Sequence, residues 1–274
     1  MSAPSASRRR LALVSVAVLA GALGLAALAL AGGGDSHAAR KRAAPIHRFA
    51  GARIADFPLS YGAPGAIAAV PDPLGSGERA VRMRVADGDV EPLTPTDDPR
   101  AQLVSPDLIG PGDNVWLATR FLVPASYPEI DPDGWVTLVE IYGPPFYGTS
   151  PWRLELVGGS LQWQRNRTYD FDMPFKRPLA RGRWIRALVH ERFGERGFVE
   201  MWIDGRPVEF FSRPGGRPAV RRLRMATMDR SNDEGLNSVR IGQYREAGMF
   251  ARGTIYFGPL AVGPTRASVA WAAR

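Results

Sequence analysis

The chain has 274 residues, 35 Lys plus Arg against 27 Asp plus Glu, and no cysteine. That length suits one large domain or two small ones, and a hydrophobic content of 45% excludes wholesale disorder. The absence of cysteine excludes a disulfide scaffold, a Cys-ligated zinc finger, an iron–sulfur cluster and a thiol nucleophile, and three histidines leave little for a His-rich metal site.

Of the 35 basic residues only Lys41 and Lys176 are lysines, so 33 are arginines. Guanidinium forks match carboxylates and phosphates bidentately. A GC-rich codon bias produces the same excess. The formal charge of +8 therefore bears on partners and solubility, not on fold.

The chain opens with Arg8, Arg9 and Arg10, followed by an uncharged run over residues 11–31 and then Gly32-Gly33-Gly34. A positive start, an apolar run and small residues at its end make an export signal. The run also reaches the ~20 residues that span a bilayer. A cleaved signal peptide and an uncleaved signal anchor both stay open over residues 1–31. Either one carries the rest of the chain out of the cytoplasm, with membrane contact only through this segment. Residues 32–45 read as a linker, 46–264 as the folded domain and 265–274 as a C-terminal tail.

From residue 46 onward the pattern is strands and turns. Residues 79–85 alternate, with Val81, Met83 and Val85 on one face. Residues 114–123 are β-rich and end at Pro124, and 135–142 end at Gly143-Pro144-Pro145. Residues 152–157 and 160–165 flank Gly158-Gly159, a strong hairpin signal. Residues 184–193 form another strand. Residues 198–203 meet Asp204-Gly205 and return over 206–211, and Asp-Gly between alternating runs favours a type I′ hairpin. Residues 237–244 and 254–262 close the set. Around ten short strands at regular spacing, without a fixed repeat, predict an all-β sandwich or barrel.

No phosphate-cradling loop, dinucleotide fingerprint or nucleophile elbow is present, and no nucleic-acid partner is expected. Asp229, Asp233 and Glu234 are close enough in sequence to bind calcium, but scattered turn carboxylates are usually solvated. No metal or cofactor is assigned. The more informative pattern is distributed. Alternate residues of a strand point the same way, so Arg100 and Gln102 share a face. Glu140 and Tyr142 share another, as do Arg240, Gly242 and Tyr244 if no bulge intervenes. Three strands thus offer polar and aromatic groups to one sheet face.

These segments carry a resemblance. Gly182-Arg-Trp184, the run 197–205 ending Trp-Ile-Asp-Gly, 238–246 and 254–263 together resemble, in order and spacing, the heparin-lyase-I-like and alginate-lyase-like polysaccharide lyases. Their fold is a β-jelly roll of the concanavalin A type. The resemblance implies an acidic, uronate-containing polysaccharide as partner and β-elimination as the reaction. It places Tyr244 on a catalytic tyrosine and Arg240 on a substrate-binding lysine, with Gln243 beside them as a further substrate contact. Arg100 and Gln102 fall on the Arg and Glu of an Arg-x-Glu-Leu-Arg strand, where Gln replaces Glu and Val104 replaces the second Arg. Glu140 and Tyr142 replace a carboxylate-neutralising Gln and a His. A carboxylate at position 140 repels a uronate unless it is protonated or paired with Arg.

Two other readings stay open. Glu140, with Glu155 as partner across the sheet, allows a glycoside hydrolase using paired carboxylates. A non-catalytic, lectin-like module is the other. For it Trp163, between Gln162 and Gln164 and followed by Arg165, is the best exposed stacking platform, and Phe146 and Tyr147 sit in a loop placed to overhang the groove. Guanidinium neighbours predict a lowered pKa for Tyr244. His190, beside Glu191 in a strong strand, is assigned a structural role. Oligomeric state is not legible.

Overall fold

The computed structural model describes residues 48–89, 98–142, 150–167, 170–211, 218–227 and 236–274. The leader and linker, Phe146 and Tyr147, and the Asp229–Asp233–Glu234 group lie outside the described residues. Among those described, no helix is long and apolar enough to cross a membrane.

Two antiparallel sheets make the body of the domain, which is an all-β jelly roll and not a barrel. The seven-stranded sheet runs from edge to edge as Asp170–Pro178, Ser160–Arg167, Trp152–Val157, Trp135–Tyr142, Ser238–Arg245, Arg100–Val104 and Leu59–Gly62. The ten-stranded sheet has Asn114–Leu122, Trp184–Arg192, Arg252–Phe257 and Arg79–Ala86 at its centre. The crossovers are sequence-distant: Ser238–Arg245 lies between Trp135–Tyr142 and Arg100–Val104.

The period of two explains the layering. Val81, Met83 and Val85, then Val115, Leu117 and Phe121, then Ile185, Ala187 and Val189 point inward from one sheet. Leu138, Leu154, Leu156, Val239 and Ile241 answer from the other. Trp152 and Trp163 stack between the layers with ring centroids 4.2 Å apart. Apolar burial at roughly 25 cal/mol per Å² is the main driving force, and no covalent staple assists it.

Asp204 and Gly205 both take positive φ, 54° and 77°, as the type I′ hairpin requires. The return strand is shorter than expected. It splits into Arg206–Pro207 and Phe210–Phe211, because proline has no N–H to carry the ladder. Likewise the last expected strand breaks at Gly258-Pro259 into Arg252–Phe257 and Leu260–Gly263. The C-terminal residues form a short helix, Arg266–Val269, and a 3-10 turn, Ala270–Ala273. Val269 and Ala272 pack on Ala118, Leu188 and Ala261, on the outer face of the ten-stranded sheet.

Candidate active site

The outer face of the seven-stranded sheet, away from the core, is polar and recessed. Its central residues are almost fully buried although they point away from the apolar layer: Arg100, Gln102, Thr137, Glu140, Glu155, Gln162 and Arg240. Three adjacent strands set the arrangement. Tyr244 lies directly across from Arg100 on one side and Thr137 on the other. Arg240 lies across from Glu140, and Gly242 across from Gln102.

A bulge does intervene, between Ile241 and Tyr244 against the Trp135–Tyr142 strand. Register with Arg100–Val104 is nevertheless continuous. Arg240, Gly242 and Tyr244 therefore still share the outer face, while Gln243 and Arg245 turn inward. Gly242 is needed here. Its φ is +156°, and a Cβ would lie 2.3 Å from the Ala101 carbonyl oxygen and 2.9 Å from Gln102 Cγ. With that space open, Gln102 reaches over the intervening strand and donates from Nε2 to Glu140 Oε1 at 3.1 Å.

Glu140 is the hub. Arg153 Nε lies 3.5 Å from its Oε2 and Arg240 Nη1 4.0 Å from its Oε1. The carboxylate is thus compensated from three sides, which a buried charge requires. Arg240 stacks over Tyr142 at 4.0 Å and lies 5.4 Å from the Tyr61 ring centroid. Arg100 stacks over Tyr244 at 4.1 Å. Trp135 meets the edge of Tyr244, with centroids 4.8 Å apart. Two arginine–tyrosine stacks therefore flank one carboxylate–amide pair.

Two ionisations differ from simple expectation. Burial raises the Tyr244 pKa above its ordinary value, and the Arg100 charge only partly opposes this. The predicted lowering is corrected: desolvation outweighs the guanidinium, so the resting group is the phenol. Its hydroxyl donates to Asp98 Oδ2 at 3.3 Å. Glu155, on the next strand, is pushed up to about 7 by burial, with Arg153 lowering it and Glu140 raising it. It is partly protonated near neutrality.

The structure brings together Arg100, Gln102, Glu140, Tyr142, Arg240 and Tyr244, and it separates others from them. Trp163 is wholly buried in the core against Trp152 and Phe210, so the expected exposed stacking platform is corrected. Alternation in its strand runs the other way, placing Gln162 and Gln164 outward. Arg165 also points inward, and its Nε donates to Asp172 Oδ1 at 2.8 Å. Gln243, expected to touch substrate, braces the two sheets. It accepts from the Tyr127 hydroxyl and donates to the Gly253 and Met83 carbonyls at 3.2 and 3.4 Å. His190 stands on the other sheet, stacked on Trp116 at 4.1 Å and held by Glu200 and Asn114 at 2.7 and 2.9 Å.

Sequence reasoning missed Asp98, Tyr61 and Gln162. Asp98 was reachable by extending the Arg100–Gln102 alternation back by two residues across Pro99. Tyr61 sits in a four-residue strand too short to read. No group of three metal-ligating side chains occurs among the described residues.

The fold is thus a jelly roll whose recessed outer face carries two arginine–tyrosine stacks beside one compensated carboxylate. The family model described as "Polysaccharide lyase" matches residues 42–261, and the chain belongs to that family. Solved structures agree on the fold. The endo-β-1,4-glucuronan lyase of the fungus Trichoderma reesei superposes with a TM-score of 0.60 at 14% identity, over 82% of this chain and 98% of its own. Alginate lyase Aly36B gives 0.51 at 11% identity, over 80% and 98%. The family 7 alginate lyase A1-II′ gives 0.50 at 9% identity, over 73% and 82%. No curated protein matches the sequence.

Proposed function

We propose that the protein binds an acidic, uronate-containing polysaccharide across the outer face of the seven-stranded sheet and cleaves it by β-elimination. The observation that carries this reading is the pair of arginine–tyrosine stacks, Arg100–Tyr244 and Arg240–Tyr142, around a Glu140 that Gln102, Arg153 and Arg240 already compensate. A compensated Glu140 removes the repulsion that a carboxylate at this position otherwise exerts on a uronate. The glucuronan lyase and alginate lyase neighbours support an acidic polymer, and the leader supports export to where polymers lie. The finer kinship with the heparin-lyase-I-like group belongs to the same proposal.

In this reading Arg100 and Arg240 hold the uronate carboxylate and stabilise the negative charge that develops on it as the C5 proton leaves. Tyr244 is the proton carrier. Its raised pKa keeps it protonated at rest, so it takes the C5 proton only as its own passes to Asp98. The C4–O bond then breaks and the C4–C5 double bond forms. The departing oxygen receives a proton from Tyr244, which recovers its own from Asp98. The net transfer is one proton from C5 to the leaving oxygen.

Incubation with glucuronan, alginate and heparin tests this. Elimination generates the ultraviolet absorbance of an unsaturated uronate, and Tyr244→Phe abolishes it while retaining binding. Binding without absorbance or new chain ends refutes the cleavage half and leaves a lectin-like protein. A hydrolytic reading has one observation in its favour: a partly protonated Glu155 beside a charged Glu140, the division of labour of an acid and a base in glycosidases. New reducing ends without the absorbance identify that case.

A further inference from the structure

The ten-stranded sheet carries an unassigned cleft on its own outer face. It has a volume of 540 Å³, within the ~300–1,000 Å³ typical of ligand sites, and lies between the sheet and the segments 122–128 and 73–74. Its floor follows from strand register. Arg82 pairs with Tyr256, and Arg84 with Thr254. Arg252 stands one position further along, across from Ala86. All three arginines line the cleft, and no aspartate or glutamate does.

Several arginines elsewhere in the domain have acidic partners: Arg120 pairs with Glu78, Arg222 with Glu200, and Arg177 and Arg183 with Asp204. No ion pair or side-chain hydrogen bond engages Arg82, Arg84 or Arg252 among the described residues, and the Nε of Arg82 is buried without a partner. Three like charges in one concavity repel one another, and an anion reverses the sign of that interaction. Thr254 and Tyr256 offer hydroxyl and ring edge. Leu74, 53% exposed at the rim, offers an apolar surface to the C–H face of a sugar.

We propose that this cleft is a second binding site for an acidic polysaccharide, one that seats uronate carboxylates on Arg82, Arg84 and Arg252 and holds the polymer on the face opposite the cleavage site. The choice of ligand rests on the proposed function, and the charge geometry does not. The site's role is retention: a chain anchored at the back raises the effective concentration of polymer at the front.

The test is calorimetric titration of the full chain carrying Tyr244→Phe with an oligoglucuronate at 150 mM salt, repeated with R84Q/R252Q and with R100Q/R240Q. Expected is a stoichiometry near two oligomers per chain, falling to one in either double variant. The turnover of a short oligomer by otherwise wild-type R84Q/R252Q is unchanged, while retention on immobilised glucuronan drops at least tenfold. R84K/R252K keeps much of the retention, and an unchanged thermal midpoint shows that the variants are folded. A stoichiometry and retention indifferent to R84Q/R252Q overturn the cleft proposal and leave the front site intact. Loss of binding with R84Q/R252Q but none with R100Q/R240Q supports the cleft and overturns the front site. Binding of neutral dextran as tight as that of glucuronan, or no binding of either, overturns the cleft proposal outright.

Discussion

Glu191 offers the sharpest test of the physical reasoning, because it needs no substrate. It is wholly buried in the core between the sheets, and its Oε2 accepts from the Trp152 indole N–H at 3.2 Å. Burial pushes its pKa up to about 8, with the hydrogen bonds only partly opposing that. A group whose folded pKa lies above its unfolded value binds its proton more tightly in the folded state. The associated stability is complete below the unfolded value near 4.5 and is lost as pH rises towards and through about 8. Within that window each pH unit removes about 1.4 kcal/mol, so moving from pH 5 to pH 7.5 removes on the order of 3 kcal/mol. For a domain of this size that is roughly 10 °C in Tm. Glu191→Gln keeps the acceptor for Trp152 and removes the titration. Thermal melts at half-unit intervals from pH 5 to pH 8 should therefore show the wild-type midpoint falling relative to the variant. Other raised carboxylates, Glu155 among them, fall in both proteins and cancel in the difference. Two curves that stay parallel across the range would refute the claim that Glu191 is protonated in the folded protein.

Three further outcomes are expected. Trp163→Ala should destabilise the fold by about 3–5 kcal/mol, the range for deleting a large buried aromatic, measured by denaturant melts; a loss under 1 kcal/mol would place that ring at the surface after all. Gly242→Ala should cost roughly 3 kcal/mol or more, combining overpacking against Ala101 with the steric penalty of its positive φ. The same assay reads it, and a neutral result would mean that the strand relaxes there. Asp98→Asn should reduce cleavage at least tenfold with KM little changed, since in the proposed mechanism Asp98 accepts the Tyr244 proton without touching the sugar; unchanged kcat removes Asp98 from the proton path.

Much of the fold was legible because its strands alternate cleanly. Residues 135–142 and 152–157 read at their observed bounds, and Asp204-Gly205 announced its turn. The misses have physical causes. Asp170–Pro178 carries two prolines and four charges, so no apolar period marks it. Leu59–Gly62 and Ile67–Pro71 are short edge pieces whose partners, not their own residues, make them strands. The strand Ser160–Arg167 shows the limit of alternation. Its period was plain, but a tryptophan flanked by two glutamines does not say which set faces inward. Only the stack with Trp152, a partner on the neighbouring strand, decides that. The ionisation of Tyr244 was likewise beyond the sequence, because the sign of its shift depends on burial outweighing a charge that pairing alone brings close.

The strand Ser238–Arg245 joins these points. On its outer side it presents Arg240 and Tyr244, the first compensating Glu140 and the second stacked under Arg100. On its inner side Gln243 ties to Tyr127 and to the Met83 and Gly253 carbonyls, while Arg245 binds Asp87 and the Phe250 carbonyl at 2.8 and 2.7 Å. Both polar atoms of Gln243 are met, while Arg245 keeps a buried Nε without a partner; such burial is expensive, and aliphatic residues here would bury as much surface at less risk. What the polar pair adds is a fixed position. Directional bonds on both sides of Tyr244, next to a bulge that would otherwise let the strand slip, hold its hydroxyl against Asp98. Proton transfer depends on distances of a few tenths of an ångström. In the proposed mechanism the inward residues of this strand therefore help set the chemistry of the outward ones, although they touch no substrate.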